Sequence, residues 1–361
     1  MNHNRSVLFS ALRSGLWGGE KVVVGEDVMN LAVSQGVTGI VADGASSAPI
    51  SMAATVFMIE KQNKELDRRV SDVLKEMADN GIRGVLLKGQ GVALEYPYPE
   101  HRVPGDIDIY VGPRQAASCC EWLLRKGIPR SRWDLSRKHL SVTIDGVDVE
   151  IHRKIINGGQ LFFKRRIRKW LERRLESDMV RRSDAGWLLP DAMTMTVFEY
   201  YHLLHHFANE GVGLRQIVDW VMCLDRFYEA IDRDELRRQL CRFGLLHSWR
   251  VFGFIAVEHI GLKKEKMPCY DDSTKTREKA DMVMEKVFRD GNMGYERAGN
   301  LRSKNYFVSK LQGMKINLRD TAEVFRIFPT DALRNMKNLP DCIWRLYYEL
   351  PRIFMKKNDN V

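Results

Sequence analysis

Two stretches of this 361-residue chain alternate acid and aliphatic residues in a pattern that can do chemistry. Asp106-Ile107-Asp108-Ile109-Tyr110-Val111 reads as a strand, whose alternation sends Asp106 and Asp108 to one face and the isoleucines to the other. Val147-Asp148-Val149-Glu150-Ile151-His152 repeats the arithmetic, with Asp148, Glu150 and His152 sharing a face. Like charges side by side repel, so folding disfavours them unless a cation sits between. If the two strands are neighbours, Asp106, Asp108 and Glu150 converge on an all-oxygen site that suits Mg²⁺ (or Mn²⁺) rather than Zn²⁺. The competing reading is that each strand is amphipathic and turns its acids to water. Asp148, close to the turn, is read as a spectator.

Upstream, Gly84-Val85-Leu86-Leu87 is too short and apolar for a helix and reads as a buried strand. Lys88-Gly89-Gln90-Gly91 is a turn, and residues 92–96 start a helix that Pro97 and Pro99 end. Backbone N–H groups at a glycine-containing turn before a helix cradle phosphate oxygens, and Lys88 adds charge to them. This run, followed by Tyr96-Pro97, Arg102 and Gly105-Asp106-Ile107-Asp108-Ile109, resembles the signature of the polymerase-β nucleotidyltransferase superfamily. It looks like a bacterial branch carrying "Leu-Lys-Gly…Tyr-x-Pro…Arg…Asp-Ile-Asp" and then "Val-Glu-x-His", matched here by Val149-Glu150-Ile151-His152. The likeness covers residues 82–153, and the stretch from His205 to Trp220, with Leu214-Arg215-Gln216 and Asp219, also looks like that branch's helical domain. Where the superfamily usually has Gly-Ser or Gly-Gly, this chain has Gly89-Gln90.

The resemblance implies an α+β fold: a polymerase-β-like nucleotidyltransferase core, with a small mixed sheet and flanking helices, plus a large helical C-terminal domain. It implies that a nucleoside monophosphate moves from a nucleoside triphosphate to an acceptor (small molecule, protein or RNA) with release of pyrophosphate. Two divalent ions then activate the attacking hydroxyl and hold the leaving group in line. Asp106, Asp108 and Glu150 are the expected metal-binding and catalytic carboxylates; Lys88, Gly89, Gln90, Arg102 and Arg215 are the expected nucleotide-binding residues. Three other readings stand beside it: a toxin-like transferase acting on RNA ends, a catalytically inactive relative that only binds, and a basic nucleic-acid-binding protein without chemistry.

Other features have two readings each. His202 and His206 are four apart on one helix, a metal-binding spacing, with His205 beside them; helix packing is the favoured reading. Arg215 reaches either a phosphate or Asp219, four residues on. Residues 164–182 hold nine Lys or Arg and three acids. The stripe Phe163, Ile167, Trp170 and Leu171 favours an amphipathic connector over a nucleic-acid groove. The tail at 339–357, with Trp344, Tyr347, Tyr348 and Phe354, either docks on helices or lies on a membrane surface.

The elements around these residues follow from periodicity and breakers. Helices are expected at 7–16, 26–34 and, longest, 52–80, where Asn80-Gly81 supplies the stop; residues 43–51 form a loop. Another helix covers 113–126. Runs 140–144 and 147–151 form a hairpin about Asp145-Gly146. From residue 160 onward only helices are expected, at 160–176, 192–209, 214–228, 233–243, 247–260 and 277–289. The implied organisation is a helical segment 1–81, a catalytic core 82–156 and a helical domain 157–361. The balance of 57 Lys and Arg against 47 Asp and Glu favours phosphate-bearing partners. The six scattered cysteines contain no Cys-x-x-Cys pair and read as reduced thiols. No apolar run approaches the length of a membrane helix or an export signal, so no transmembrane association and a cytoplasmic protein are expected.

Overall fold

The computed structural model describes residues 3–129, 139–156, 162–209, 211–292 and 322–329, and of these the side chains of 162–164 and 209 are excepted. Phe163's part in the basic stripe and the aromatic tail therefore lie outside the described residues. The chain is α+β, with helices around small sheets.

Helices α1 (His3–Trp17), α2 (Glu26–Gln35) and α3 (Thr38–Asp43) come first, with β1 (Val22–Val23) and β2 (Ala45–Ser47) pairing in parallel between them. The expected loop at 43–51 thus holds a strand; three residues are too few to show a period. Helix α4 (Ile50–Asp79) buries Ile59, Val70, Val73 and Met77 at helical spacing. Strand β3 (Val85–Leu86), the short α5 (Gln90–Ala93), β4 (Ile107–Tyr110) and α6 (Ala116–Arg125) follow. The Asp-Gly hairpin forms β5 (His139–Ile144) and β6 (Val147–His152). Its loop residues Asp145 and Gly146 both take positive φ, 49° and 84°, as the two-residue turn that matches strand twist requires.

These last four strands make one sheet in the order β3-β4-β6-β5. Strands β4 and β6 are parallel, and the register sets Asp108 opposite Glu150 and Ile109 opposite Ile151. The period of two splits the sheet's faces. Ile107, Ile109, Val149 and Ile151 pack with Val70, Val73 and Met77 of α4 and Trp122 of α6 in one apolar cluster. The other face carries the acids and Tyr110, whose ring joins a second, larger cluster.

That second cluster is helical. Helices α7 (Phe162–Glu176), α8 (Ala192–Asn209), α9 (Leu214–Phe227), α10 (Arg233–Phe243), α11 (Leu246–Ile255) and α12 (Thr274–Asp290) share it with α1–α3. Its centre is aromatic: Tyr200, Trp220 and Trp249 lie 4.8–5.1 Å apart, centroid to centroid. Ile167, Trp170 and Leu171 of the basic helix α7 are buried in it, which is the packing role expected of that stripe. Between α7 and α8 a hairpin, β7 (Val180–Arg182) with β8 (Leu188–Pro190), corrects the expectation of helices only. Its β7 strand is two arginines after a valine and shows no apolar alternation. Arg181 is drawn in by the buried carboxylate of Glu95, an attraction invisible in local sequence. Among the described residues no helix is long and apolar enough to cross a membrane.

The segment leading into β4 is fastened at both ends. Arg102, 4% exposed, donates through Nε and Nη2 to the two carboxylate oxygens of Asp219 at 2.7 and 2.9 Å. Tyr96 Oη donates to the same carboxylate at 2.6 Å. Asn63 of α4 donates to the carbonyls of Glu100 and Arg102 at 2.6 and 2.8 Å. A bidentate pair buried on both sides is strongly destabilising to break, because the survivor keeps an uncompensated charge. Asp219→Ala is expected to lower unfolding free energy by about 3–5 kcal/mol, read from urea denaturation. A loss under about 1 kcal/mol would show that Arg102 has another anchor.

Candidate functional site

The parallel pairing of β4 and β6 determines the site. Asp108 and Glu150 are register partners on one face, and Asp106 stands one residue ahead of β4 on the same side. Ligand oxygens of Asp106, Asp108 and Glu150 all lie within 4.8 Å of one another. The solvated-strand alternative fails for Asp108, which is 0% exposed. The two strands are neighbours in one sheet, as the converging-carboxylate reading required.

Such a charge survives burial only with partners. Lys88 Nζ is 3.1 Å from Asp108 Oδ2, and His152 Nε2 is 2.7 Å from Oδ1. Burial pushes the Asp108 carboxyl up, but the Lys88 ammonium and the His152 hydrogen bond outweigh it and hold the group well below the usual carboxylate range. Glu150 is also held low: its burial is overcome by His152 and His139. Their Nε2 atoms lie 3.5 Å from Oε2 and 3.3 Å from Oε1 respectively. Asp106 goes the other way, raised by burial and then by the charge of Asp108, with Lys88 opposing. The set therefore holds more negative charge than its one ammonium balances. Its donors are hard carboxylate oxygens, the chemistry that fits a divalent cation of the magnesium type.

Around the acids, the residues expected to bind phosphate divide. Lys88 faces them, and Gly89 makes the turn with φ 63°, which a side chain resists; a Cβ there would stand 3.1 Å from the Asp106 carbonyl oxygen. The Gln90 side chain turns away and donates to Asp67 of α4 at 2.6 Å. Arg102 is engaged with Asp219. Arg215 donates to the carbonyls of Val103 and Pro104 at 3.2 and 3.0 Å, so it braces the residues just before Asp106, while the guanidinium that pairs with the Asp219 carboxylate is that of Arg102. Beside Asp106 opens a cleft of about 750 Å³, lined by Phe57, Met58 and Lys61 of α4, Gly105, and Val147 and Asp148 of the hairpin. Asp148 itself accepts from Thr143 at 2.9 Å and stays outside the triad. His202 and His206 face each other, Nε2 to Nε2 at 2.9 Å, and belong to no larger group of metal-type ligands among the described residues.

Two residues of the site were not singled out in the sequence. His139 is the register partner of His152, a position that the two-residue loop at 145–146 dictates once pairs are counted outward. Glu199 of α8 is 4% exposed, and its Oε1 has no hydrogen-bond partner among the described residues. Burial, then the charge of Asp219, pushes it up to about 8, against the pull of Arg102 and Lys88. No local pattern marks it, because its surroundings come from three distant segments.

Comparison with protein families adds one finding: the model of a family described as "Uncharacterised nucleotidyltransferase" matches residues 25–260, which span the acid cluster, the Lys88 turn and α8 to α11. Searches of curated proteins and of solved structures returned no match.

The buried Glu199 leaves a signature in pH. Its pKa rises on folding from 4.5 to about 8, so between these values the folded chain holds the extra proton. The stability it contributes is complete below the unfolded value and is lost as pH climbs through 8. Glu199→Gln mimics the protonated form. Its stability, followed by melting temperature, is expected to pull ahead of the parent's as pH rises from 4.5 to about 8, by up to about 1.4 kcal/mol per pH unit, and the gap to stay level above that. Parallel profiles would mean that Glu199 is already ionised in the fold.

Proposed function

The chain belongs to the family of uncharacterised nucleotidyltransferases, and from that premise we propose that it moves a nucleoside monophosphate from a nucleoside triphosphate to an acceptor hydroxyl or phosphate, releasing pyrophosphate. The observation that carries this reading is the convergence of Asp106, Asp108 and Glu150 from adjacent parallel strands onto one span of 4.8 Å. We read β3, β4, β6 and β5, with α4 and α6, as a polymerase-β-like core.

In this reading Asp106, Asp108 and Glu150 hold Mg²⁺ or Mn²⁺. A bound divalent ion supplies charge neutralisation on the phosphates and acidifies an attacking hydroxyl. The chain's own groups do the rest. Asp108, ionised through Lys88 and His152, is a permanent anionic ligand. Asp106, exposed at the mouth beside the charge of Asp108, is the ligand that gains most from an arriving positive charge. Glu150, steadied between two imidazoles, is aligned to accept a proton from the acceptor. Lys88 and the turn at Gly89 neutralise phosphate oxygens, with Lys88 exchanging part of its pairing to Asp108 for them. Arg102 and Arg215 act at one remove: they fix the 102–106 segment and thereby the position of Asp106. Gln90 serves the turn by tying it to α4.

A thermal-shift panel of the four nucleoside triphosphates, each with and without Mg²⁺, tests this. A nucleotide at a hundred times its Kd adds about 2.7 kcal/mol to the folded state, several degrees of melting temperature. The rise is expected with Mg²⁺ and to vanish in Asp106→Asn, which by itself melts no lower than the parent because one of three converging like charges is gone. Pyrophosphate release on adding acceptor extracts follows the same pattern. No magnesium-dependent shift with any nucleotide, or an equal shift in Asp106→Asn, overturns the proposal and leaves a binding relative without chemistry.

A further inference from the structure

The face of the β5–β6 hairpin carries a second set of metal-type ligands beside the all-oxygen one. His139, Glu150 and His152 present donor atoms within 4.8 Å of one another. The hairpin register places the two histidines directly opposite each other, with ring centroids 5.1 Å apart, and Glu150 two residues before His152 on the same face. The carboxylate bridges the pair: Oε1 lies 3.3 Å from His139 Nε2 and Oε2 lies 3.5 Å from His152 Nε2. Ligand atoms around a tetrahedral zinc with bonds of about 2.05 Å stand about 3.3 Å apart. Each nitrogen thus stands at co-ligand distance from an oxygen of Glu150, and both imidazoles turn the same nitrogen inward.

Charge argues the same way. Three carboxylates face the one ammonium of Lys88, an excess of negative charge that a dication offsets. Asp108 already has Lys88 and His152, so a further imidazole on Glu150 exceeds what holding that carboxylate in place demands. Imidazole nitrogen selects borderline transition metals, where carboxylate oxygens alone select magnesium.

We infer that His139, Glu150 and His152 form a binding site for a transition-metal dication of the zinc class, adjoining the oxygen site and sharing Glu150 with it. His152 Nε2, hydrogen-bonded to Asp108 in the metal-free chain, exchanges that contact for the metal. The ligand set rests on the hairpin alone; that its occupation governs transfer, by taking a carboxylate from the oxygen site, rests on the function proposed above.

The test uses the full chain, freed of metal with a chelator and titrated with Co²⁺ as a spectroscopic stand-in and then with Zn²⁺ in competition. One equivalent of Co²⁺ is expected to give visible bands of four- or five-coordinate intensity, displaced by Zn²⁺. His139→Asn, on a partly exposed edge-strand position, is expected to fold normally and weaken both metals at least tenfold. His202→Asn is expected to leave binding within twofold. Unchanged binding in His139→Asn, or loss in His202→Asn instead, overturns the site. A magnesium-dependent nucleotide response without a cobalt spectrum also overturns it and spares the transferase reading; a cobalt spectrum without nucleotide response does the reverse.

Discussion

A carboxylate with no exposed surface at the centre of a sheet is the constraint around which this molecule is arranged. Asp108 sits between β3 and β6, roofed by the helices, and isolated in such a place it would take up a proton. It stays ionised because a lysine and a histidine reach it from opposite sides. Each of those needs its own support. Lys88 follows β3 immediately and leads into a turn that only glycine makes without strain, and His152 arrives because β6 runs parallel to β4 in one register. A slip of one residue in that pairing would send Ile151 to the polar face and His152 to the core of α4 and α6.

Asp106, the acid that meets solvent, is controlled from outside the sheet. The chain that precedes it passes under α4, where Asn63 takes two of its carbonyls, and against α9, where Asp219 takes Arg102 and Arg215 takes two more carbonyls. Two elements on opposite sides of the site therefore share one short segment. Of the two acids, one is thus enclosed in the sheet and the other held at its edge by contacts from two helices.

Much of this was legible in the sequence, because the informative signals were short-range. The Asp-Gly loop fixed the hairpin, the Asp-Ile-Asp alternation fixed the facing of the acids, and the apolar spacing of α4 and of α8 through α12 fixed helices to within a few residues. What escaped depends on partners far away in the chain. Gln90 sits where a phosphate contact was expected, yet Asp67, on a helix before it, claims its amide. Helical spacing offers Asp219 as one of two partners for Arg215, but Arg102, 117 residues upstream of that acid, takes it with bidentate geometry. Strand β7 has the composition of a solvated arginine loop and exists because Glu95 is buried nearby. Glu199 looks like any helix glutamate until the fold removes its water.

The parallel neighbourhood of β4 and β6 has a consequence for the order of events on the ribosome. Strand β4 is made before the hairpin whose far strand must slot in beside it, and before the α8 and α9 residues that close over it. Asp219 is synthesised 111 residues after Asp108, which at about 5–20 residues per second means roughly 6–22 seconds. During that interval the nascent chain carries an acid-bearing strand with no cover. The acids' face of the sheet is thus complete in the chain well before the helices that pack over it, and its cover comes last.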